Sequence, residues 1–495
     1  MNAARPRLLI TALVATWSGA TSGQERWNRT YDVGGVANAA GSVLQVSDST
    51  FRTVVRFNFS AQGSGLALHE ISTTGELVSL HQDSLPPFSY SIGASGSLLA
   101  VHEVGFLHAG SRSSGGDVDG MVMRYAENGD TLWSRGFGVT GAFDNVNCLA
   151  ILPDSGFALF GTVDTDVGYD MRLIRTDANG DSLWTRRYGG PEDQQCLSGQ
   201  RTLDGGYVLS GFKYFNNDHV NMYVVKTDSA GNQQWHQWYG SAWVDNPGFI
   251  LQLPDSGYVL VGAQRLAAQG ALYPALYRLD KNGAVLWSEV YEQLEWGPFF
   301  TIPIHVPGEG YAIAGTAKPL GLSVGRLTKV DLNGELLWDR EYRTNNQVDH
   351  YFYDVKRTLD GGYIMAGTAF DSLLVSQDAW LVKVDSFGCL VPGCQVFDGL
   401  TEQVTDLGDA LEVYPNPVVA GGAVQVEMRL PVGFATRGAL RLALTDASGR
   451  LVREVPLPQG VSPFTVQLSA FSPGLYHVHL LDGGRWLSGT KLVVQ

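Results

Sequence analysis

Aspartates recur in this chain at places where a carboxylate would either bind a cation or shape a turn. Asp144, Asp193, Asp245 and Asp349 each lie in the stretch that leads into a new strand-like segment. Calcium needs about six to eight oxygen ligands that converge on one point, whereas these carboxylates are spread along the chain. Asp also shapes turns by accepting hydrogen bonds from nearby backbone N–H groups. We therefore predict turn-forming aspartates and no metal site.

Large aromatic residues lie in the same loops, namely Trp243, Trp296 and Tyr351. Exposed rings beside carboxylates are typical of ligand-binding surfaces. The competing interpretation is that some of these rings pack inside the fold. We take the three aromatic residues and the four aspartates together as the candidate ligand-binding set.

Two motifs of known catalytic sites are missing from the sequence. The chain has 10 histidines but no His-Glu-x-x-His and no Walker-type phosphate loop. His477 and His479 are two residues apart and would share one face of a strand. We interpret that face as solvated rather than metal-binding. The sequence predicts a protein that is not an enzyme and carries no cofactor.

A basic residue, Asp, Gly and Trp recur at a constant spacing. The clearest copy is Arg175, Asp177, Gly180 and Trp184. A fixed period of this kind is the signature of a repeat architecture. The glycine returns at steps of 51 to 54 residues, at Gly75, Gly129, Gly180, Gly231, Gly283, Gly334 and Gly388.

Each unit contains about four short strands. In the third unit we predict strands over 148–152, 157–163, 171–176 and 182–188, with Asp-x-x-Gly as a hairpin turn between the last two. Seven such units predict an all-β fold, a seven-bladed β-propeller over residues 24–395. A solenoid is the alternative. The repeated Trp is expected to fill the gap between neighbouring blades.

The two ends of the repeat array complement each other. The seventh unit lacks its fourth strand, because Pro392 stands where Trp is expected. Residues 25–33 carry the missing pattern, beginning with Trp27. A strand from the N-terminus that completes the last blade would close the ring and remove its open edges.

The composition restricts the class of protein and its partners. The chain is 44% hydrophobic and 17% charged, which suffices for a buried core. Its 34 basic and 49 acidic residues give a net charge of −15, which repels phosphate backbones, so no nucleic-acid partner is expected. Arg5 and Arg7, the apolar run 8–17 and the small residues that follow predict a signal peptide over 1–23. No later run has membrane length, so no transmembrane anchor is expected.

The chain has four cysteines. Cys389 and Cys394 are close in sequence, and in an exported chain they predict a local disulfide. Cys148 and Cys196 occupy similar places in neighbouring units. They either pair or remain buried free thiols, and the sequence leaves both alternatives open.

The C-terminal part differs from the repeats. Residues 396–410 are polar and predict a linker, and seven short strands within 411–495 predict a small immunoglobulin-like β-sandwich. Four motifs of this tail resemble the type A sorting domain of the type IX secretion system. Their residues include Tyr414, Pro415, Asn416, Pro417, Gly449, Gly474, Tyr476 and Lys491.

This resemblance implies Sec export, handling by the type IX secretion machinery and passage across the outer membrane. It also implies that the protein is then secreted or held at the cell surface. The competing interpretation of the tail is a sandwich that binds carbohydrate.

The repeat units resemble the propeller-like repeats of bacterial secreted proteins. Their turn and Trp also resemble the tryptophan-docking motif of quinoprotein dehydrogenases. We expect an exported, non-catalytic propeller for binding or surface display, with a surface glycan or another surface protein as its partner. The alternatives are a propeller enzyme, quinoprotein-like or polysaccharide-acting, and a purely structural surface protein.

Overall fold

A computed structural model provides the structure of the chain. The residues it describes are 24–32, 37–60, 63–83, 88–93, 96–101, 105–139, 141–215, 219–268, 270–294, 300–318, 321–345, 347–371, 376–391, 394, 403–405, 407, 410–431, 434, 436, 438–447, 450–457, 462–469, 471–483 and 485–495. The predicted signal peptide and two of the predicted site residues, Trp296 and Gly449, lie outside the described residues.

Within these ranges seven sheets follow one another along the chain, and we name them blades 1 to 7. The first strand, β1 (Trp27–Tyr31), belongs to blade 7. Blade 1 consists of β2 (Asn38–Gln45), β3 (Thr50–Ser60), β4 (Gly63–Ser72) and β5 (Leu77–Asp83). Blade 2 consists of β6 (Ser89–Ile92), β7 (Leu98–Val101), β8 (Gly105–Ser114), β9 (Asp117–Tyr125) and β10 (Thr131–Phe137).

The central blades have four strands each. Blade 3 consists of β11 (Cys148–Ile151), β12 (Phe157–Thr165), β13 (Gly168–Thr176) and β14 (Ser182–Tyr188). Blade 4 consists of β15 (Gln194–Arg201), β16 (Tyr207–Phe215), β17 (His219–Thr227) and β18 (Gln233–Tyr239). Blade 5 consists of β19 (Asn246–Gln252), β20 (Tyr258–Arg265), β21 (Leu272–Leu279) and β22 (Val285–Val290).

The last two blades close the array. Blade 6 contains β23 (Phe300–Val306), β24 (Gly310–Ala317), β25 (Val324–Val330) and β26 (Leu336–Tyr342). Blade 7 contains β27 (Asp349–Arg357), β28 (Tyr363–Asp371), β29 (Ser376–Val384) and the N-terminal β1. β1 runs antiparallel to β29, with Trp27 opposite Lys383 and Tyr31 opposite Ala379. Each blade contacts the next and β2 contacts β27 and β28, so the sheets form a closed ring, a β-propeller.

The basic residue of the repeat holds the first hairpin of its own blade. Lys226 Nζ lies 2.8 Å from Asp204 Oδ2, in the turn between the first two strands. Lys383 Nζ lies 2.8 Å from Asp360 Oδ2 in the same way. The remaining pairs of this kind are Arg175 with Asp154, Arg278 with Asp255 and Lys329 with Glu309. The basic residue is therefore part of the blade's internal structure.

The Asp and Gly of the repeat form the second hairpin. Asp228 Oδ1 accepts hydrogen bonds from the backbone N–H groups of Ala230 and Asn232, at 2.9 and 2.8 Å. Gly231 has a φ of 78°, a conformation that L side chains rarely adopt. The two residues together close a tight turn, as the sequence predicts.

The Trp of one blade packs on the turn glycine of the next. A Cβ on Gly231 would lie 2.9 Å from Trp184 Cη2, and the Tyr188 hydroxyl donates to the Gly231 carbonyl at 2.8 Å. We call this pair of contacts the inter-blade clamp. It also joins Trp27 and Tyr31 to Gly75, Trp235 and Tyr239 to Gly283, Trp287 and Tyr291 to Gly334, and Trp338 and Tyr342 to Gly388.

Two of the seven junctions depart from this scheme. Blade 1 has no Trp at this place, and a Cβ on Gly129 would lie 2.5 Å from Cδ2 of His81, which takes over the contact. Trp133 packs on Gly180, but Phe137 has no hydroxyl to donate to the glycine carbonyl. The clamp is thus complete at five junctions between described residues.

Apolar side chains of neighbouring blades interdigitate. One buried cluster combines Phe160 and Leu173 of blade 3 with Tyr207 and Val225 of blade 4. Burial of each such side chain contributes about 1.5–3 kcal/mol. Cys148 and Cys196 belong to the same cluster and are free thiols.

The tail folds as two facing sheets. A three-stranded sheet contains β31 (Leu411–Tyr414), β32 (Ala423–Met428) and β35 (Phe464–Gln467). A four-stranded sheet contains β33 (Leu440–Asp446), β34 (Leu451–Pro456), β36 (Gly474–Asp482) and β37 (Arg485–Val494). Val426 of the first sheet and Leu444, Val478 and Leu492 of the second share one buried cluster. The tail is therefore a β-sandwich.

The segment predicted as a linker contains a short strand. β30 (Gln403–Thr405) runs parallel to β26 and adds a fifth strand to blade 6. This short segment shows no alternating pattern of its own. Its pairing depends on an edge of blade 6 that is distant in sequence.

Candidate functional site

The four predicted aspartates act on the protein's own backbone. Asp193 Oδ1 accepts the Tyr169 N–H at 3.0 Å, and Asp349 Oδ1 accepts the Ser323 N–H at 2.6 Å. Both bonds tie a loop that connects two blades to a loop of the preceding blade. These two carboxylates shape loops of the protein, in agreement with the predicted turn-forming role.

The other two aspartates are buried. Asp144 is 0% exposed, and its Oδ1 lies 2.8 Å from Arg172 Nη1. Asp245 is 1% exposed and accepts the Arg265 N–H at 2.8 Å. Burial raises the pKa of both carboxyl groups, although Arg172 opposes this at Asp144 and hydrogen bonds oppose it at Asp245.

The structure separates the aromatic candidates. Trp243 is 40% exposed. The Tyr351 hydroxyl accepts a hydrogen bond from Ser323 Oγ at 3.2 Å, beside Asp349 and far along the ring from Trp243. The described members of the predicted set are therefore not one site: Trp243 and Asp245 share one loop, and Asp349 and Tyr351 lie together on blade 7.

Aromatic rings lie at one end of blade 4, next to the loop that contains Trp243. We call Phe215, His219, Trp238 and Trp243 the blade-4 aromatic surface. Phe215 stacks on His219 with ring centroids 5.3 Å apart, and the Trp238 ring meets Phe215 edge-on at 5.7 Å. The loop of Trp243 joins this group because the Asp245 N–H bonds to the carbonyl of Val220, next to His219, at 2.7 Å.

The surface combines apolar rings with charged groups. Trp238 is 50% exposed, whereas Phe215 and His219 are half-buried. Lys213 Nζ lies 5.2 Å from the centre of the Phe215 ring and 3.3 Å from Glu192 Oε2. Large exposed aromatic rings beside polar groups mark interaction sites on soluble proteins.

These rings occupy positions where the other blades have different residues. Trp238 is three residues after the repeat Trp, where blade 3 has Arg187 and blade 6 has Glu341. Phe215 is aligned with Thr165 of blade 3 and Asp371 of blade 7. The propeller cannot require aromatic side chains at these positions for its packing, because the other blades form without them. Trp238 and Phe215 were not among the predicted site residues, although their difference from the corresponding residues of the other blades is visible in the sequence.

A polar cleft of about 510 Å³ lies between blades 4 and 5. Lys226 Nζ donates to Gln234 Oε1 at 3.0 Å, and Gln252 Oε1 accepts the Leu203 N–H at 2.8 Å. Although burial opposes it, the hydrogen bond from Lys226 holds the pKa of Asp204 at about 2. These polar groups are engaged with one another, so the cleft ranks below the aromatic surface as a ligand site.

The motifs of the tail converge on its last strand. Asn416 Nδ2 donates to the Lys491 carbonyl at 2.7 Å, and Asn416 Oδ1 accepts the Val493 N–H at 2.9 Å. Asn416 lies between Pro415 and Pro417, and Tyr414 before them is 38% exposed. Gly474 begins β36, and the Tyr476 hydroxyl donates to the Ser472 carbonyl at 2.9 Å. The described motif residues thus lie on or next to β37.

Comparison with protein families agrees with both parts of this architecture. The family model described as "Outer membrane protein assembly factor BamB" matches residues 118–368, about half of the chain. The chain belongs to this family. A second model, "Secretion system C-terminal sorting domain", matches residues 412–495. The sandwich is therefore a sorting domain of the type IX system, and the protein is a propeller carried across the outer membrane to the cell surface or the medium.

Individual relatives of this BamB-family propeller are distant. Regulatory protein FlaEY of Caulobacter vibrioides is 22% identical over 262 residues, which are 47% of this chain and 26% of that protein. The chain thus matches about a quarter of that relative's length.

Solved structures show weak likenesses. Sqt1 from Chaetomium thermophilum matches with a TM-score of 0.40 and 12% identity, over 70% of this chain and 85% of the other. The WD40 domain of SCAP from fission yeast matches with a TM-score of 0.38 and 8% identity, over 74% of this chain and 100% of the other. The fold assignment rests on the sheets themselves.

The prediction that His477 and His479 lie on a solvated face of the sorting domain is wrong. His477 is 2% exposed and His479 is 0% exposed. The His479 ring contacts Thr445 Oγ1 and Trp486 Nε1, each at 3.1 Å. Burial lowers the pKa of His479 to about 3, with a contribution from His477. The described ranges contain no group of three or more potential metal ligands and no helix able to cross a membrane.

Proposed function

We propose that this exported propeller is a non-catalytic binding module, and that its blade-4 aromatic surface takes a surface glycan. The observation that carries the proposal is the exposure of two tryptophans at one end of blade 4, Trp238 in β18 at 50% and Trp243 in the loop that follows at 40%. The other blades fold without aromatic residues at these positions, so binding explains the exposed rings better than folding does.

The chemistry of the surface suits carbohydrate. The C–H faces of a sugar ring are apolar and pack against flat aromatic rings, while its hydroxyl groups need polar partners at the rim. Trp238 and Trp243 supply flat rings, and Lys213, Glu192 and His219 supply donors and acceptors around them. Export to the cell surface brings the protein to polysaccharide.

The non-catalytic role is supported by how the loop carboxylates are used. Asp144 is paired with Arg172, and Asp193, Asp245 and Asp349 accept backbone N–H groups. A general acid or base must reach a proton of its substrate within hydrogen-bond distance. Groups committed to the protein's own loops are poorly placed for that task.

The test is a glycan array with the full chain, followed by affinity measurement on the hits. Replacement of one ring at the centre of a binding surface typically costs more than about 1.4 kcal/mol, or about tenfold in Kd. We expect Trp238→Ala and Trp243→Ala each to weaken binding by about tenfold. The matched control is Leu183→Ala, which removes a 59% exposed apolar side chain from the corresponding strand of blade 3.

The outcomes separate the alternatives. Glycan binding that Trp238→Ala leaves unchanged would place the site elsewhere. Capture of a protein instead of a glycan, lost in the same variant, would keep the surface and change the ligand class. Chemical change of the bound glycan during incubation would replace the binding role with an enzymatic one.

A further inference from the structure

Both faces of the four-stranded sheet in the sorting domain are buried. Side chains of β36 alternate between its faces. Val478 and Leu480 point into the sandwich core and are at most 1% exposed. His477, His479 and Leu481 point the other way and are at most 2% exposed. In an isolated sandwich this second face would meet water, so something outside the sandwich covers it.

The cover is the end of the propeller chain. Leu481 and Trp486 of the sheet form one buried cluster with Cys389, Cys394 and Val391, which is half-buried. Cys389 and Cys394 form a disulfide with their Cα atoms 5.8 Å apart. A Cβ on Gly489 of β37 would lie 3.2 Å from Val391 Cγ2, so the two surfaces are in close contact.

This propeller surface is assembled from both ends of the ring. Cys389 comes after the turn that follows β29, and its N–H donates to Asp385 Oδ1 at 2.8 Å. Asp385 Oδ2 in turn lies 3.0 Å from Arg26 Nη2, just before β1. Burial lowers the pKa of His477, and the charges of Lys491 and Arg26 contribute to this shift.

A second attachment lies on blade 6. β30, which precedes the sorting domain, pairs with β26, and the Leu407 N–H donates to the Leu487 carbonyl at 2.6 Å. Residues 339–342 of β26 are buried, whereas most residues of the corresponding strand β14 are exposed. The sorting domain is therefore held on two neighbouring blades.

We propose that the closed seventh blade, with its Cys389–Cys394 disulfide, is a docking surface for the sorting domain of the same chain. The surface is complete only when β1 has paired with β29, because Arg26 and Asp385 come from opposite ends of the propeller. The sorting domain thereby docks on a finished ring and not on an open one. This inference is independent of the ligand proposed above.

The experiment uses the full chain with a specific protease site inserted within residues 396–402. After cutting, size-exclusion chromatography and a concentration series measure whether the sorting domain stays with the propeller. We expect co-elution at micromolar concentration. Leu481→Asp and the double variant Cys389→Ser/Cys394→Ser should each raise the apparent Kd at least about tenfold. Val452→Asp is the matched control, since Val452 is 41% exposed on β34 of the same sheet.

Hydrogen exchange shows whether each variant remains folded. In Leu481→Asp we expect protection of β12 and β28 to remain and protection of residues 339–341 to fall, which locates the loss in the interface. Immediate separation of the cut wild-type halves would overturn the proposal. An unchanged Kd in the double cysteine variant would also overturn it, because the disulfide would then be no part of the docking surface.

Discussion

The hydroxyl of the inter-blade clamp provides a sharp test of how the ring is held together. Tyr188 is 5% exposed, and its hydroxyl donates to the Gly231 carbonyl of the next blade at 2.8 Å. Tyr188→Phe removes this hydrogen bond and keeps the ring packing. Gly231 is itself buried, so its carbonyl loses its donor without gaining water.

The expected loss follows from these two facts. A buried hydrogen bond contributes about 0.5–1.5 kcal/mol net, and a buried acceptor left without a partner costs about 1–3 kcal/mol. We expect the free energy of unfolding to fall by about 1–2 kcal/mol in Tyr188→Phe. In a chain of this size the melting temperature should fall by about 2–4 °C.

The preceding junction of the propeller offers a matched comparison. Phe137 of blade 2 occupies the position that Tyr188 occupies in blade 3, and the Gly180 carbonyl corresponds to the Gly231 carbonyl. Phe137→Tyr should restore the missing donor and stabilise the ring by about 0.5–1 kcal/mol. Urea unfolding followed by far-UV circular dichroism measures both variants. A Tyr188→Phe midpoint equal to that of the wild type would refute the idea that this hydrogen bond ties blade to blade.

Three further predictions concern other parts of the chain. Burial lowers the pKa of His108 to about 3, so the folded chain keeps it neutral while the unfolded chain takes up a proton below about pH 6.5. Stability is thus lost as the pH falls from about 6.5 towards 3, by about 1.4 kcal/mol per pH unit for this residue. Between pH 7 and pH 5, the free energy of unfolding measured with urea should fall less in His108→Leu than in the wild type. It should fall by the wild-type amount in His236→Gln, which replaces an exposed imidazole. Deletion of residues 491–495 removes the backbone that Asn416 holds and should trap the protein in the periplasm, as immunoblots of cell fractions would show; normal appearance outside the cell would contradict this. Asp245→Asn replaces an acceptor of backbone N–H groups by an amide and should lower the free energy of unfolding by about 1–2 kcal/mol in the urea assay, whereas an unchanged midpoint would argue against its role in the loop.

Repeat spacing and strand alternation are local, and they predicted most of the fold. The turn glycines recur every 51 to 54 residues, and the strands predicted at 148–152 and 182–188 correspond to β11 and β14. The family motifs of the tail predicted the sorting domain. Such patterns are readable because each copy solves the same packing problem with the same residue types.

The candidate site was only partly predictable. Trp243 and Asp245 were selected from the sequence, but Trp238, Phe215 and His219 were not, because each stands within a strand where a core role is the usual explanation. Only the fold shows that Trp238 points to solvent beside Phe215. The separation of Tyr351 from Trp243 likewise depends on which blades they occupy.

Local patterns in the sequence are enough to predict the repeat, the closing N-terminal strand and the sorting tail. Contacts between segments that are far apart in the chain become visible only in the folded protein. The sequence predicts a solvated face at His477 and His479, but in the folded chain the Cys389–Cys394 disulfide packs against their sheet. The physical reason is that alternation along a strand distinguishes its two faces, but does not reveal what covers the second face.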